Sequence, residues 1–174
     1  MELIEAYERF IPREMLRMLK KENITSVRLG NQVEKEMTVM FSDIRGFSAM
    51  SEEMTPQQNF DFINSYLSRM EPVIRRHNGI VDKFVGDAIM ALFPSSADDA
   101  LKCAMAMLTK LAQYNKGRVD AGLEPINIGI GLNTGLCMLG TVGGEHRMET
   151  TVIADAVNLA SRLEGMTKNY HAGG

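Results

Sequence analysis

Phe41-Ser42-Asp43-Ile44-Arg45-Gly46-Phe47 is the stretch on which the reading of this chain turns. The run Met37 to Phe41 before it has a strand's composition and delivers Asp43 into a tight turn, where Gly46 opens a helix. Forty-four residues after Asp43 a related pattern follows: Val81-Asp82-Lys83-Phe84-Val85-Gly86-Asp87-Ala88-Ile89-Met90. There Asp87 sits in a Gly-Asp turn between two strand-like runs, which is a hairpin signal. Taken singly, Asp43 reads equally as a helix N-cap and Asp87 as a turn residue. Together, at the ends of adjacent strands, they form the carboxylate pair that two hard divalent cations use. Mg²⁺ or Mn²⁺ binds through one or two carboxylates and completes its shell with substrate phosphates, so the pair points to nucleotide chemistry.

Working outward, residues 1–23 read as helix with a break near Pro12, and residues 25–35 as polar and irregular. A strand is expected at 36–43, a short helix at 46–53 and a long one at 56–77, with Thr55 as N-cap and Pro56 in the first turn. Asn78-Gly79 ends the long helix. Strands at 80–85 and 88–93 flank Gly86-Asp87, and a helix over 97–120 starts after Ser95-Ser96. Residues 127–139 are strand-like, 143–147 a turn, 150–153 a short strand and 155–168 a helix. The order β-α-β-β-α-β predicts an α+β fold with a ferredoxin-like core and extra helices. Such a sheet buries one face under its two helices and leaves the other free for a partner or substrate.

The bulk properties narrow the function further. The 174 residues suffice for one core, and 45% hydrophobic with 24% charged residues is ordinary globular composition. A net charge of −3 without a Lys/Arg block does not indicate a nucleic-acid footprint. No apolar run is long enough to span a bilayer, and no signal-peptide pattern opens the chain. Cys103 and Cys137 lack CxxC spacing and read as buried thiols in a reducing, cytoplasmic setting. Fourteen methionines suggest an adaptable core. His77, His146 and His171 show no metal-ligand spacing and read as surface or loop residues.

Two further segments carry chemistry. Ile44 to Ser48, with Gly46 at its centre, offers backbone N–H groups at a helix start, where phosphate oxygens can approach closely. On the helix beginning near residue 155, Asn158 and Arg162 are four apart and share a face. An amide and a guanidinium on one stripe can hold a ribose and a phosphate; in isolation the two read better as a solvated stripe.

With these pieces in order, the chain resembles the catalytic domain of class III adenylyl and guanylyl cyclases. The likeness rests on Phe-x-Asp-x-x-Gly-Phe-Ser at 41–48, Lys-Phe-Val-Gly-Asp at 83–87 and Val-Asn-x-Ala-x-Arg at 157–162, and it extends over about residues 36–168. The resemblance implies that Asp43 and Asp87, with the Ile44 carbonyl, hold two divalent metal ions, Mg²⁺ or Mn²⁺. It implies that Gly46, Phe47 and Ser48 lie along the substrate phosphates and that Lys83 and Thr151 read the purine. Asn158 would orient the ribose, and Arg162 would stabilise the pentavalent phosphorus. It further implies a homodimer with composite sites, Asp43 and Asp87 coming from one chain and Lys83, Thr151, Asn158 and Arg162 from the other.

Base choice follows from donor and acceptor chemistry at the implied positions. Lys83 only donates, which suits the acceptor N1 of adenine and opposes the N1–H of guanine. Thr151 can accept from the adenine amino group. ATP is therefore the expected substrate and cyclic AMP with pyrophosphate the expected products.

Some features depart from the family pattern. Ser48 replaces a common threonine, and Ala154 stands where glycine is frequent. The family's terminal β-hairpin, with its triphosphate-binding lysine, has no counterpart before Gly174, which predicts weakened ATP binding and an exposed sheet edge. Residues 1–30 are expected to form a helical segment that either transduces a signal from an upstream sensor or packs on its own domain, with 31–174 as the catalytic domain. Arg45 reads as solvent-facing. Alternatives kept open are an inactive nucleotide-binding or dimerisation module, a guanylyl cyclase, and, more distantly, a polymerase-like nucleotidyl transferase. A membrane tether in a longer protein also stays open.

Overall fold

The computed structural model describes residues 13–20, 28–144, 147–153 and 155–166. Its elements run α1 (Arg13–Met18), β1 (Gln32–Ile44), α2 (Phe47–Glu52), α3 (Pro56–Arg76), β2 (Ile80–Val85), β3 (Ala88–Phe93), α4 (Ala97–Asp120), β4 (Ile128–Gly144), β5 (Arg147–Ile153) and α5 (Asp155–Met166). The strands form one sheet in the order β2-β3-β1-β4-β5, with every neighbouring pair antiparallel. The α+β core expected from the sequence is present.

Local chemistry sets the helix ends. Thr55 and Gln58 form a reciprocal capping box: the Thr55 hydroxyl accepts from the Gln58 N–H at 3.2 Å, and the Thr55 N–H donates to the Gln58 amide oxygen at 2.9 Å. Pro56 occupies the first turn. At the other end Asn78 takes φ 60°, and the Gly79 N–H donates to the Ile74 carbonyl at 2.9 Å. A Cβ on Gly79 would stand 2.6 Å from the Phe93 ring, so glycine is required there for contact rather than for its dihedral. His77 is the C-cap residue of α3, its Nδ1 2.7 Å from the Val73 carbonyl.

Several boundaries differ from the sequence reading. β1 begins at Gln32, because Gln32 to Glu36 pair with Gly140 to Leu136. The polar stretch ending at Lys35 is therefore partly strand: an exposed ribbon needs ladder partners, not apolar side chains. The turn expected at 143–147 is shorter, since β4 reaches Gly144 and β5 resumes at Arg147. Of the N-terminal helix, α1 is the described part; residues 1–12 and 21–27 lie outside the described residues, as do His146, Ala154, His171 and the helix end expected at 167–168.

The larger correction concerns the sheet's second face. One face packs on α3 and α4 through Met40, Ile44, Phe62, Tyr66, Met70, Ile74, Phe93, Cys103 and Met107. The opposite face is not free. It carries its own cluster, Met37, Val39, Met90, Leu92, Cys137 and Leu139, closed by Met15 from α1, Leu19 just after it and Ala160 from α5. A sheet whose two faces both present apolar side chains must cover both to remove them from water. Cys103 and Cys137 are buried, free thiols, and burial pushes Cys103 up to about 12.

Candidate active site

The loop after β1 gathers the first group of site residues. Asp43 and Ile44 end the strand, and Gly46, at φ 67°, turns the chain into α2 in a left-handed conformation that disfavours any side chain. Gly86, at φ 60°, does the same in the β2–β3 hairpin and brings Asp87 beside this loop. The Ile44 N–H donates to Asp87 Oδ2 at 2.8 Å, so main chain next to one aspartate anchors the other carboxylate. The two carboxylates and the Ile44 carbonyl would offer a donor set of hard oxygens, which fits Mg²⁺ or Mn²⁺ with phosphates completing the shell.

Beneath the loop, the Ser42 and Tyr66 hydroxyls are buried next to each other without full hydrogen-bond geometry between them. Burial, with the Asp87 and Asp43 carboxylates adding to it, pushes the Tyr66 phenol well above its ordinary value and keeps it protonated. Of the three residues expected along the phosphates, Gly46 and Ser48 are exposed at the start of α2. Phe47 instead stacks on Phe62 at 6.2 Å between centroids, so its side chain anchors the loop to the core.

Arg45 does not face solvent. Its Nη1 donates to Glu164 Oε1 at 2.8 Å, its Nη2 to the Glu164 carbonyl at 3.1 Å, and Nη1 also lies 3.6 Å from Asp43 Oδ1. The Glu164 side chain is only 5% exposed. No local pattern announces this pair, because its members are 119 residues apart.

Lys83, Thr151, Asn158 and Arg162 stand elsewhere in the chain. Lys83 is on β2 and Thr151 on β5, both half-buried. A bulge lies between Val81 and Lys83, so Asp82 and Lys83 together oppose Met90 and both turn to Met90's face. Asp82 was given no role in the sequence reading. Its side chain is fully buried, neither oxygen has a hydrogen-bond partner, and Oδ2 lies 3.6 Å from Lys83 Nζ. Burial pushes the Asp82 carboxyl above the usual carboxylate range; Lys83 partly offsets this and Glu149 on β5 adds to it. Ile80 of β2 and Val152 of β5 belong to the same apolar cluster on that face. Asn158 and Arg162 are both on α5, with Arg162 exposed. Among the described residues, no helix is long and apolar enough to cross a membrane.

Comparisons with known proteins point to one family. The sequence profile of the family described as the adenylate and guanylate cyclase catalytic domain matches residues 29–171. An adenylate cyclase of Anabaena cylindrica is 41% identical over 172 residues, which cover 96% of this chain and 34% of that protein. The chain thus spans about a third of that relative's length. The crystal structure of the adenylyl cyclase CyaB from P. aeruginosa superposes with a TM-score of 0.73 at 38% identity, over 78% of this chain and 74% of that one. The guanylyl cyclase Cya2 superposes with a TM-score of 0.71 at 36% identity, over 77% and 71%.

Proposed function

The chain belongs to the adenylate and guanylate cyclase catalytic domain family, and from that premise we propose that it converts ATP to 3′,5′-cyclic AMP and pyrophosphate. The observation that carries the proposal is the Ile44–Asp87 hydrogen bond, which joins the two carboxylate-bearing turns into one acidic loop beside an open helix start. Asp43 and Asp87, with the Ile44 carbonyl, would hold two divalent ions, whose chemistry is to acidify the ribose 3′-hydroxyl and neutralise the triphosphate. The N–H groups of Phe47 and Ser48, in a first turn without intrahelical acceptors, would donate to the phosphates beside Gly46. Asn158 orients the ribose. Arg162 supplies positive charge where negative charge accumulates on the α-phosphate oxygens during attack by the 3′-oxygen.

Adenine is favoured over guanine by Lys83, which donates to N1, with Thr151 accepting from the amino group. The buried Asp82 supports this reading: a carboxylate 3.6 Å from Nζ gives the ammonium a fixed partner and restricts its direction. The sites are shared across a homodimer, Asp43 and Asp87 from one protomer with Lys83, Thr151, Asn158 and Arg162 from its partner. Exposure of Arg162 fits a side chain that acts across an interface. The domain works in the cytoplasm, under an upstream sensor or regulatory segment of a longer protein.

The test is product analysis after incubation with ATP or GTP, with Mn²⁺ or Mg²⁺, over a range of protein concentrations. Cyclic AMP whose specific rate climbs with concentration is the expected result. Nucleotide binding without any cyclic product would instead assign this chain a binding or dimerisation role.

A further inference from the structure

We infer that the Arg45–Glu164 ion pair is a positioning device that sets the geometry of two active sites at once. It lies on the same chain between the loop of Asp43 and Asp87 and the helix of Asn158 and Arg162. The inference rests on the shared-site reading above, in which those two groups serve different sites of the dimer.

The loop is held at three points. The Ile44 N–H bonds Asp87, the Arg45 N–H donates to the Asn127 carbonyl at 2.8 Å, and the Arg45 guanidinium bonds both the side chain and the carbonyl of Glu164. Two of these contacts fix the loop to its own sheet; the third fixes it to α5. Glu164 is two residues from Arg162, within one helical turn, so a displacement of Glu164 displaces the Arg162 backbone with it. β4 is shaped to admit the pair. Gly129 and Gly131 alternate along the strand and lie on one face. A Cβ at Gly129 would stand 1.8 Å from Arg45 Nη2 and 2.6 Å from Glu164 Oε1, and one at Gly131 would stand 2.2 Å from the Ala160 carbonyl. Any larger residue would therefore separate α5 from the sheet and break the bridge. A buried charged pair is costly to desolvate and gives little net stability, so its worth here is directional.

The test uses heterodimers of the full chain. One chain carries Arg162→Ala and donates the metal loop; the other carries Asp87→Ala and donates the helix, leaving one intact composite site. Glu164→Gln is then added to either chain. Cyclic AMP production should fall about tenfold in both arrangements, since small misplacements of catalytic groups cost rates of this order or more. Calorimetric Mn²⁺ binding in the presence of 3′-deoxy-ATP separates the two effects. Affinity should weaken several-fold when the metal-loop donor carries the substitution and stay unchanged when the helix donor does. Loss from only one arrangement, or from neither, overturns the inference while leaving shared sites standing. Absence of activity in the parent mixture, with heterodimers verified, overturns the shared-site reading and this inference together. If Glu164→Gln does not fold, Arg45→Lys, which keeps the charge but loses the two-pronged contact, is judged by the same outcomes.

Discussion

Under α3 and α4 the sheet buries Met40, Ile74, Phe93, Cys103 and Met107, all uncharged; the opposite face packs Met37, Val39 and Leu92 and also carries two buried carboxylates, Glu164 of α5 and Asp82 of β2. The first face is packed for stability. Its polar members include the hydroxyls of Ser42 and Tyr66, both neutral, and burial pushes the Tyr66 phenol up. The second face accepts charges that cost free energy to desolvate, and each sits one or two residues from a group assigned to the substrate: Asp82 beside Lys83, Glu164 near Arg162. The difference teaches where to look for function in this fold, namely on the face where burial is least economical.

Substitutions can break or sharpen this contrast. The largest effect is expected at the loop between the faces: Asp43→Ala or Asp87→Ala should lower cyclic AMP formation on the order of a thousandfold while the dimer stays folded, as sedimentation and circular dichroism would report. Next comes the apolar face. Met107→Ala should cost about 2–5 kcal/mol in denaturant unfolding, yet leave the turnover of the folded fraction unchanged. A substantial change in kcat at preserved folding would erase the distinction between the faces. The paired swap Lys83→Glu with Thr151→Cys should move the ATP-to-GTP ratio of kcat/KM by roughly tenfold or more toward GTP, as measured by competing the two nucleotides. An unchanged ratio would remove Lys83 and Thr151 from base reading.

The smallest effect is the most diagnostic. Asp82→Asn should reduce discrimination against GTP several-fold and at the same time hold or raise stability at neutral pH, by roughly 1 kcal/mol at most. The sign follows from linkage. Burial raises the Asp82 carboxyl in the folded chain, so the folded state binds its proton more readily than the unfolded state does. Wild-type stability therefore falls as pH rises from the ordinary carboxylate range through the raised value. The asparagine variant lacks this loss, so its advantage should shrink as the medium is acidified. A thermal-unfolding series from pH 7 to pH 4 checks it, and a widening gap on acidification would contradict the assignment.

Much of this was legible in the residues. Asp43 and Asp87 stood out because each ends an apolar strand in a glycine turn, and a glycine with a positive φ leaves a local mark. The helix of Asn158 and Arg162 was visible from its periodicity, and α3 from Thr55, Pro56 and Asn78. The exposed half of β1 was not, since Gln32 to Glu36 are strand only by virtue of their partners on β4. Arg45 was misread as solvent-facing because its partner is more than a hundred residues away. Nothing local marks Asp82 as buried: on a short edge strand an aspartate reads as solvent-facing, and only the packed sheet shows its side chain covered.

The sequence by itself determined the element order, the turn positions and the residue types of the loop, because dihedral preference, capping and hydrophobic period act over a few neighbouring residues. Only the tertiary structure decided which face is filled with neutral side chains, which charges are buried and which distant side chains are joined. Burial and ion pairing depend on what the rest of the chain brings within a few ångströms, and no local run of residues carries that information.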